Sequence, residues 1–143
     1  MTSFQPQDVD FQRRVRESFA LQHVMQLLGA SLRRVEPGAV DILLPYRKDL
    51  TQQNGYIHAG ILTTVADSAC GYAAYTLMPA GSEVLSVEFK VNLLRPAAGE
   101  MFVAEGRVLK AGKTLTVTRG DVYGRVANEA KLVATMLATM IRR

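Results

Sequence analysis

The feature that most limits how this chain can fold is residues 52–78, a long apolar segment with one formal charge. Between Asp49 and Glu83 the only Asp, Glu, Lys or Arg is Asp67, although such residues make up 21% of the sequence. The alanine-rich composition predicts a helix of about five turns that is apolar on nearly every side, so other elements must cover it. Because burial of an unpaired carboxylate is costly, Asp67 is either satisfied by local donors or used in chemistry.

The sequence before this segment predicts an amphipathic helix and a β-hairpin. Residues 8–28 space their apolar side chains at helical intervals, and Gly29 ends the pattern. Residues 30–47 form two extended runs that turn at Glu-Pro-Gly, residues 36–38. The polar residues 47–56 are then expected to be a loop that leads to the central helix.

A sheet is predicted after the central helix, which Pro-Ala-Gly at residues 79–81 stops. Apolar and polar residues alternate from Leu85 to Leu93, as in a half-buried strand. Further strands are expected at residues 100–110, 113–123 and 128–141, with turns at residues 111–112 and at Gly124. Because such short connections favour antiparallel neighbours, the sequence predicts one α+β domain over residues 1–143, with about six antiparallel strands wrapped around the long helix.

Composition and charge exclude several classes of protein. The single Cys70 rules out an internal disulfide, and the polar N-terminus lacks the apolar core of a signal peptide, so a cytoplasmic location is expected. The net charge of +4 comes from dispersed basic residues, which argues against a nucleic-acid partner. A membrane span at residues 60–78 is rejected because Asp67, Gly71 and two tyrosines lie within it. Neither metal-ligand spacing nor a glycine-rich phosphate loop is found, so neither a metal nor a cofactor is expected.

The start of the central helix is a second feature that is suited to catalysis. Around Ala59 the backbone offers unpaired N–H groups at the positive end of the helix dipole, where the oxygen of a thioester carbonyl can be held. Asp67, the natural general base or nucleophile, follows Ala59 by eight residues. That is about 12 Å along the axis, too far to reach a carbonyl at its own helix start. Two antiparallel copies about a two-fold axis would set each Asp67 opposite the other Ala59, which predicts a homodimer with two shared sites.

A short motif links these features to a known family. Residues 54–60 read Asn-Gly-Tyr-Ile-His-Ala-Gly, and Asp67 follows His58 by nine positions. With the preceding hairpin and Leu-Arg-Pro at residues 94–96, this segment resembles the hotdog-fold acyl-CoA thioesterases of the phenylacetate-degradation subgroup, whose pattern is Asn-Gly-x-x-His-Gly-Gly. The resemblance implies a hotdog fold and hydrolysis of acyl-CoA thioesters to a free acid and CoA. Ala59 stands where that family has glycine, but alanine retains the N–H that stabilises the oxyanion.

The same resemblance implies roles for individual residues and for partners. Asp67 would be the general base or nucleophile, and the N–H groups of Ala59 and Gly60 the oxyanion site. Gln52 occupies the position where the family has a side-chain amide near the thioester. Ser86 occupies the position of a hydroxyl that orients the attacking water. Substrate contacts would come from Asn54, Gly55 and His58. The family binds the CoA phosphates with surface Lys and Arg that vary among members, and the candidates here, by residue type and nearness to strand ends, are Lys90, Arg95, Lys110, Lys113 and Arg119. The expected assembly is a homodimer that pairs into a dimer of dimers, and no cofactor is needed.

Other interpretations stay open. Asp67 can be a structural carboxylate satisfied by local hydrogen bonds, and Cys70 a small core residue. His58 is interpreted as holding the loop, but with the partner's Asp67 it would suit a hotdog enoyl-CoA hydratase or dehydratase. A non-catalytic acyl-CoA binding or sensing protein is a further alternative. The acyl group is not specified, because the aromatic residues nearby serve equally in an acyl pocket or in core packing. Those residues are Tyr56, Tyr72, Tyr75 and Phe89.

Overall fold

The computed structural model describes residues 3–143, which contain three α-helices and six strands. The helices are α1 (Phe11–Leu21), α2 (His23–Leu28) and α3 (Ala59–Tyr75). The strands are β1 (Ser31–Glu36), β2 (Ala39–Pro45), β3 (Val84–Leu93), β4 (Met101–Ala111), β5 (Leu115–Val126) and β6 (Glu129–Arg142). A 3-10 turn at Lys48–Leu50 interrupts the loop before α3. Within the described range, no helix is both long and apolar enough to cross a membrane.

The strands of this range form one antiparallel sheet in the order β1-β2-β4-β5-β6-β3. Helix α3 lies against one face of the sheet and contacts β2 through β6. The side chains of Met136, Ala138 and Met140 on β6 are fully buried on that face. The hydrophobic core therefore lies between α3 and the sheet. The predicted α+β architecture, a six-stranded sheet around one long helix, is confirmed.

Glycines in the sheet allow α3 to approach closely. A Cβ on Gly106 in β4 would overlap the Ala69 carbonyl and come within 2.8 Å of the Cys70 nitrogen. A Cβ on Gly120 in β5 would come within 2.7 Å of Cys70 Sγ. At Gly106 backbone therefore packs on backbone, and at Gly120 it packs on the Cys70 side chain, which leaves room only for glycine. The small residues on this side of α3 complete a dense, dry contact with the sheet.

The N-terminal helix differs from the prediction, because it is broken rather than continuous over residues 8–28. Gln22 leaves helical geometry (φ −81°, ψ 97°) and separates α1 from α2. Val9 and Leu21, which the helical pattern assigned to the apolar face, are 95% and 77% exposed. Instead, the change of direction at Gln22 allows Met25 of α2 to be fully buried. Leu21 directly precedes the break and Val9 lies before α1 begins, so the helical pattern over residues 8–28 was misleading for both residues.

The end of α3 also differs from the prediction. The helix ends at Tyr75, one turn before Pro79. Arg14 of α1 donates hydrogen bonds to the carbonyls of Tyr75, Met78 and Pro79, at 3.1, 2.8 and 2.7 Å. A cationic side chain at the negative end of a helix satisfies carbonyls that lack a helical partner. This contact fixes α1 against the C-terminal end of α3.

Strand β3 is exposed rather than half-buried, because it is the edge strand of the sheet and its alternation is interrupted. Its register with β6 shifts between Ser86 and Glu88, which leaves Val87 as a β-bulge. Leu85 and Phe89 are 47% and 45% exposed. An exposed edge strand with apolar side chains is a surface on which another chain can pair.

The turn between β5 and β6 is formed by residues 127–128 and not by Gly124 as predicted. Ala127 adopts a positive φ of 51° in this turn. Gly124 lies inside β5, where a Cβ would come within 2.6 Å of the Ala98 carbonyl oxygen. This glycine therefore reflects close packing and not a turn.

Candidate active site

The start of α3 is held by two polar side chains of the preceding loop. Gln52 Oε1 accepts hydrogen bonds from the backbone N–H groups of Asn54 and Tyr56, at 2.6 and 3.3 Å. His58 is the N-cap, and its Nδ1 accepts a hydrogen bond from the Gly60 N–H at 2.8 Å. These contacts fix the loop and the first turn of the helix. The interpretation of His58 as a residue that holds the loop agrees with this geometry.

Of the two N–H groups predicted to bind an oxyanion, only that of Ala59 is free in this chain. The Gly60 N–H is occupied by His58. The Ala59 N–H has no hydrogen-bond acceptor among residues 3–143. Ala59 lines a cleft of about 660 Å³, which we call the helix-start cleft. Its walls include Gln52, Asn54, His58, Leu94 and Arg95.

Asp67 lies on α3 beside strand β3, and one hydroxyl group holds its carboxylate. Ser86 Oγ of β3 donates a hydrogen bond to Asp67 Oδ1 at 2.6 Å. No Lys, Arg or His within residues 3–143 forms a salt bridge with Asp67. The carboxylate is therefore oriented by a neutral donor while its second oxygen is left for another partner. The bulge at Val87 directly follows Ser86, and bulges often direct side chains next to active sites.

Asp67 lines a second cavity of about 510 Å³, which we call the carboxylate cleft. Its walls include Ser18, Gln22, Gly71, Tyr72, Tyr75 and Ser86. Ser18 and Gln22 come from α1 and its break, so the N-terminal segment forms part of this cavity. Neither residue stands out in the sequence as a candidate. The only signal was a polar side chain within an otherwise helical pattern, which is too common to identify a site.

The two clefts are separate within one chain. No residue lines both of them. Ala59 and Asp67 lie on the same straight helix, about 12 Å apart along its axis. The free N–H and the carboxylate therefore cannot act on the same carbonyl carbon within this chain.

The remaining candidate residues have different environments. Arg95 follows β3, lines the helix-start cleft and donates to the Leu132 carbonyl at 2.9 Å. Gly55 has a positive φ of 84° in the loop. Lys90 is exposed on the edge strand β3. Burial raises the pKa of the Cys70 thiol to about 12, so Cys70 is a core residue with no nucleophilic character at neutral pH.

Comparison with known proteins finds a matching family model and a human relative. Residues 54–128 match the family model described as the Thioesterase superfamily. Human acyl-coenzyme A thioesterase 13 is 30% identical over 99 residues, which cover 68% of this chain and 69% of the human protein.

Two solved structures share the fold. A thioesterase family protein from Silicibacter pomeroyi is 49% identical with a TM-score of 0.91, and the match covers 92% of this chain and 97% of that one. The PaaI protein of the Escherichia coli phenylacetic acid degradation operon is 20% identical with a TM-score of 0.83, and the match covers 94% of each chain. At that identity the second match supports the fold alone.

Proposed function

The chain belongs to the thioesterase superfamily and has the predicted hotdog fold, and from this premise we propose that it hydrolyses acyl-CoA thioesters to a free acid and CoA. Membership of the family supports thioester hydrolysis in general. The acyl-CoA substrate is our extension, based on the name of the human relative. The observation that carries the proposal is Asp67, which is oriented by Ser86, free of cations and open to a cleft.

In the proposed mechanism, each site is shared by two protomers. The Ala59 N–H of one protomer donates to the carbonyl oxygen of the thioester and stabilises the negative charge that develops there. The partner's Asp67 takes a proton from water, whose oxygen attacks the carbonyl carbon. The C–S bond then breaks, and the proton passes from the carboxyl group to the sulfur of CoA. Direct attack by the carboxylate would give a mixed anhydride that water hydrolyses to the same products.

A homodimer is proposed because two features of one chain are incomplete. Ala59 and Asp67 are too far apart to act together, and β3 exposes apolar side chains at an unpaired sheet edge. Antiparallel pairing of β3 with a second copy would satisfy the edge and bury those side chains. It would also bring the helices together about a two-fold axis, as the shared site requires.

The geometry at His58 favours hydrolysis over the hydratase alternative. A hydratase would need the imidazole as an acid or base at the reacting carbon. Here Nδ1 already caps the helix by accepting from Gly60, so that side chain has a structural task. Assays of thiol release and of enoyl-CoA hydration distinguish a thioesterase from a hydratase and from a non-catalytic binding protein.

The test is replacement of Asp67 by asparagine. Because the variant loses the proton acceptor but keeps the shape, release of free thiol from acyl-CoA should fall by about three orders of magnitude. The matched control is Asp10→Asn, the same chemical change at the exposed N-cap position that precedes α1. Sedimentation should show an unchanged dimer.

Near-normal turnover by Asp67→Asn would contradict the mechanism. If the wild-type protein binds acyl-CoA without releasing thiol, the protein is a binding or sensing protein. Hydration of an enoyl-CoA by the wild-type protein would identify a hydratase.

A further inference from the structure

One wall of the carboxylate cleft carries a chain of polar groups between α3 and the N-terminal segment. Ser68 Oγ donates to Gln22 Oε1 at 2.8 Å. Gln22 Nε2 lies 3.4 Å from the Tyr72 hydroxyl, and Ser18 Oγ lies 3.2 Å from the same hydroxyl. Gln22, Ser68, Tyr72 and Ser18 all line the cleft. Helix packing alone would favour apolar side chains here, so this polar wall needs another explanation.

The break between α1 and α2 contributes directly to this wall. Gln22 is neither glycine nor proline, yet it has extended geometry between two helices. Its side-chain amide contacts Ser68 and Tyr72, which lie one turn apart on α3. The break therefore places a hydrogen-bonding amide at the cleft, in a position that an unbroken helix would not supply.

Gly71 is the second unusual feature of the cleft. It lies in the middle of α3, where glycine destabilises a helix relative to alanine. A Cβ at this position would meet only Met140 Sδ at 4.0 Å, which is ordinary contact. Unlike Gly106 and Gly120, Gly71 is therefore not required by packing within the chain. Its effect is to leave space in the cleft one turn beyond Asp67.

The wall of the cleft beyond Tyr72 is formed by Tyr75, and the Arg14 guanidinium lies 4.4 Å above the Tyr75 ring. Arg14 is itself fixed by three carbonyls and by the Asp8 carboxylate at 3.2 Å. These contacts hold Tyr75 and Arg14 in place, so they limit the cleft on this side.

We propose that the carboxylate cleft holds the acyl group and selects short acyl chains that carry a hydroxyl at the far end, with Gly71 and Tyr72 as specificity-determining residues. Tyr72 follows Asp67 by five residues, or about 7.5 Å along α3, which a chain of about six carbon atoms spans. Gly71 provides room for the chain, and the Gln22–Tyr72 pair provides the hydrogen bond. This inference rests on the proposed hydrolysis, because it assigns the acyl side of the same site.

The first experiment compares 6-hydroxyhexanoyl-CoA with heptanoyl-CoA, which differ by a hydroxyl in place of a methyl group. The wild-type protein should show a kcat/KM about tenfold higher for the hydroxylated substrate. Tyr72→Phe should remove most of this preference. Tyr123→Phe, the same change on the sheet far from the cleft, should keep it.

Equal kcat/KM values for the two substrates in the wild-type protein would overturn the inference while hydrolysis itself stands. The affinity of the Asp67→Asn variant for the same two compounds is measured by calorimetry. That comparison tests selectivity even if no acyl-CoA is turned over, in which case the proposed function fails on its own. Equal affinities there would likewise overturn the inference.

The second experiment is Gly71→Ala. The added methyl group should lower kcat/KM for hexanoyl-CoA about tenfold relative to acetyl-CoA, while the melting temperature stays the same or rises. If Gly71 instead serves close approach by a partner helix, the variant will lose its dimer. Dimer loss, or an unchanged ratio of the two substrates, would overturn the assignment of Gly71.

Discussion

The two sides of α3 differ sharply although their residues are adjacent in sequence. On the sheet side, Cys70 is fully buried and its neighbours leave no room even for a Cβ on Gly120. On the cleft side, Gly71 has open space and Asp67 has a partly free carboxylate. Small side chains thus have two effects on one helix. On one side they allow dense packing, and on the other they leave an open cleft.

After Asp67→Asn, the largest effect of a single change is expected at the start of α3, in Ala59→Pro. Proline removes the free N–H but suits the first position of a helix. His58 already has the extended geometry (φ −59°, ψ 138°) that a residue before proline adopts. We therefore expect a fall in kcat of about 100- to 1,000-fold, measured as thiol release, with an unchanged circular dichroism spectrum. Ala59→Gly keeps the N–H and should remain active.

Mixing this variant with Asp67→Asn tests whether the site is shared. A mixed dimer combines the intact Asp67 of one chain with the intact Ala59 of the other. Random mixing gives half mixed dimers with one of two sites intact, so about a quarter of the wild-type activity should return. If no activity returns although sedimentation shows mixed dimers, the N–H and the carboxylate do not act in one shared site.

The next effect is expected on the sheet side, in Gly106→Ala. The new methyl group would overlap the Ala69 carbonyl, and backbone cannot move aside as a flexible side chain does. The free energy of unfolding in urea should fall by about 3 kcal/mol. Gly71→Ala makes the same change on the other side of α3 and should cause no loss. Equal losses at both positions would show that the two sides do not differ in packing.

A smaller effect is expected in Ser86→Ala. The variant loses the 2.6 Å hydrogen bond that orients Asp67 but keeps the carboxylate. We expect kcat to fall about tenfold with a smaller change in KM, because the lost contact aims a catalytic group and does not bind substrate. Ser31→Ala, at an exposed strand end, is the matched control. A change in KM alone would instead assign Ser86 to substrate binding.

The sequence predicted the sheet side better than the cleft side, for a physical reason. Alternation, turns and the apolar segment depend on local chemistry, so the order of strands and the start of α3 near Ala59 could be predicted. The break at Gln22 depends on Ser68, 46 residues away, and no local signal specifies it. The bulge at Val87 and the resulting exposure of β3 likewise depend on the edge position of the strand. Sites that depend on contacts between residues far apart in sequence can be identified only from the structure.

The smallest effect is expected from chemical labelling of Cys70, which tests whether the sheet side of α3 is unreactive. Burial raises the thiol pKa from 9.0 to about 12, and the hydrogen bond with Thr118 is too weak to offset it. At pH 8 the thiolate fraction should therefore be about three orders of magnitude lower in the folded chain than in the unfolded one, and alkylation by iodoacetamide should be slower by at least that factor. Because the folded state favours the neutral thiol, its contribution to stability is complete below pH 9 and declines as the pH rises towards 12. The free energy of unfolding measured in urea should therefore show no change between pH 7 and pH 8 that comes from this group. Rapid labelling in the native protein would mean that α3 separates from the sheet, and the dense packing assigned to that side would be wrong.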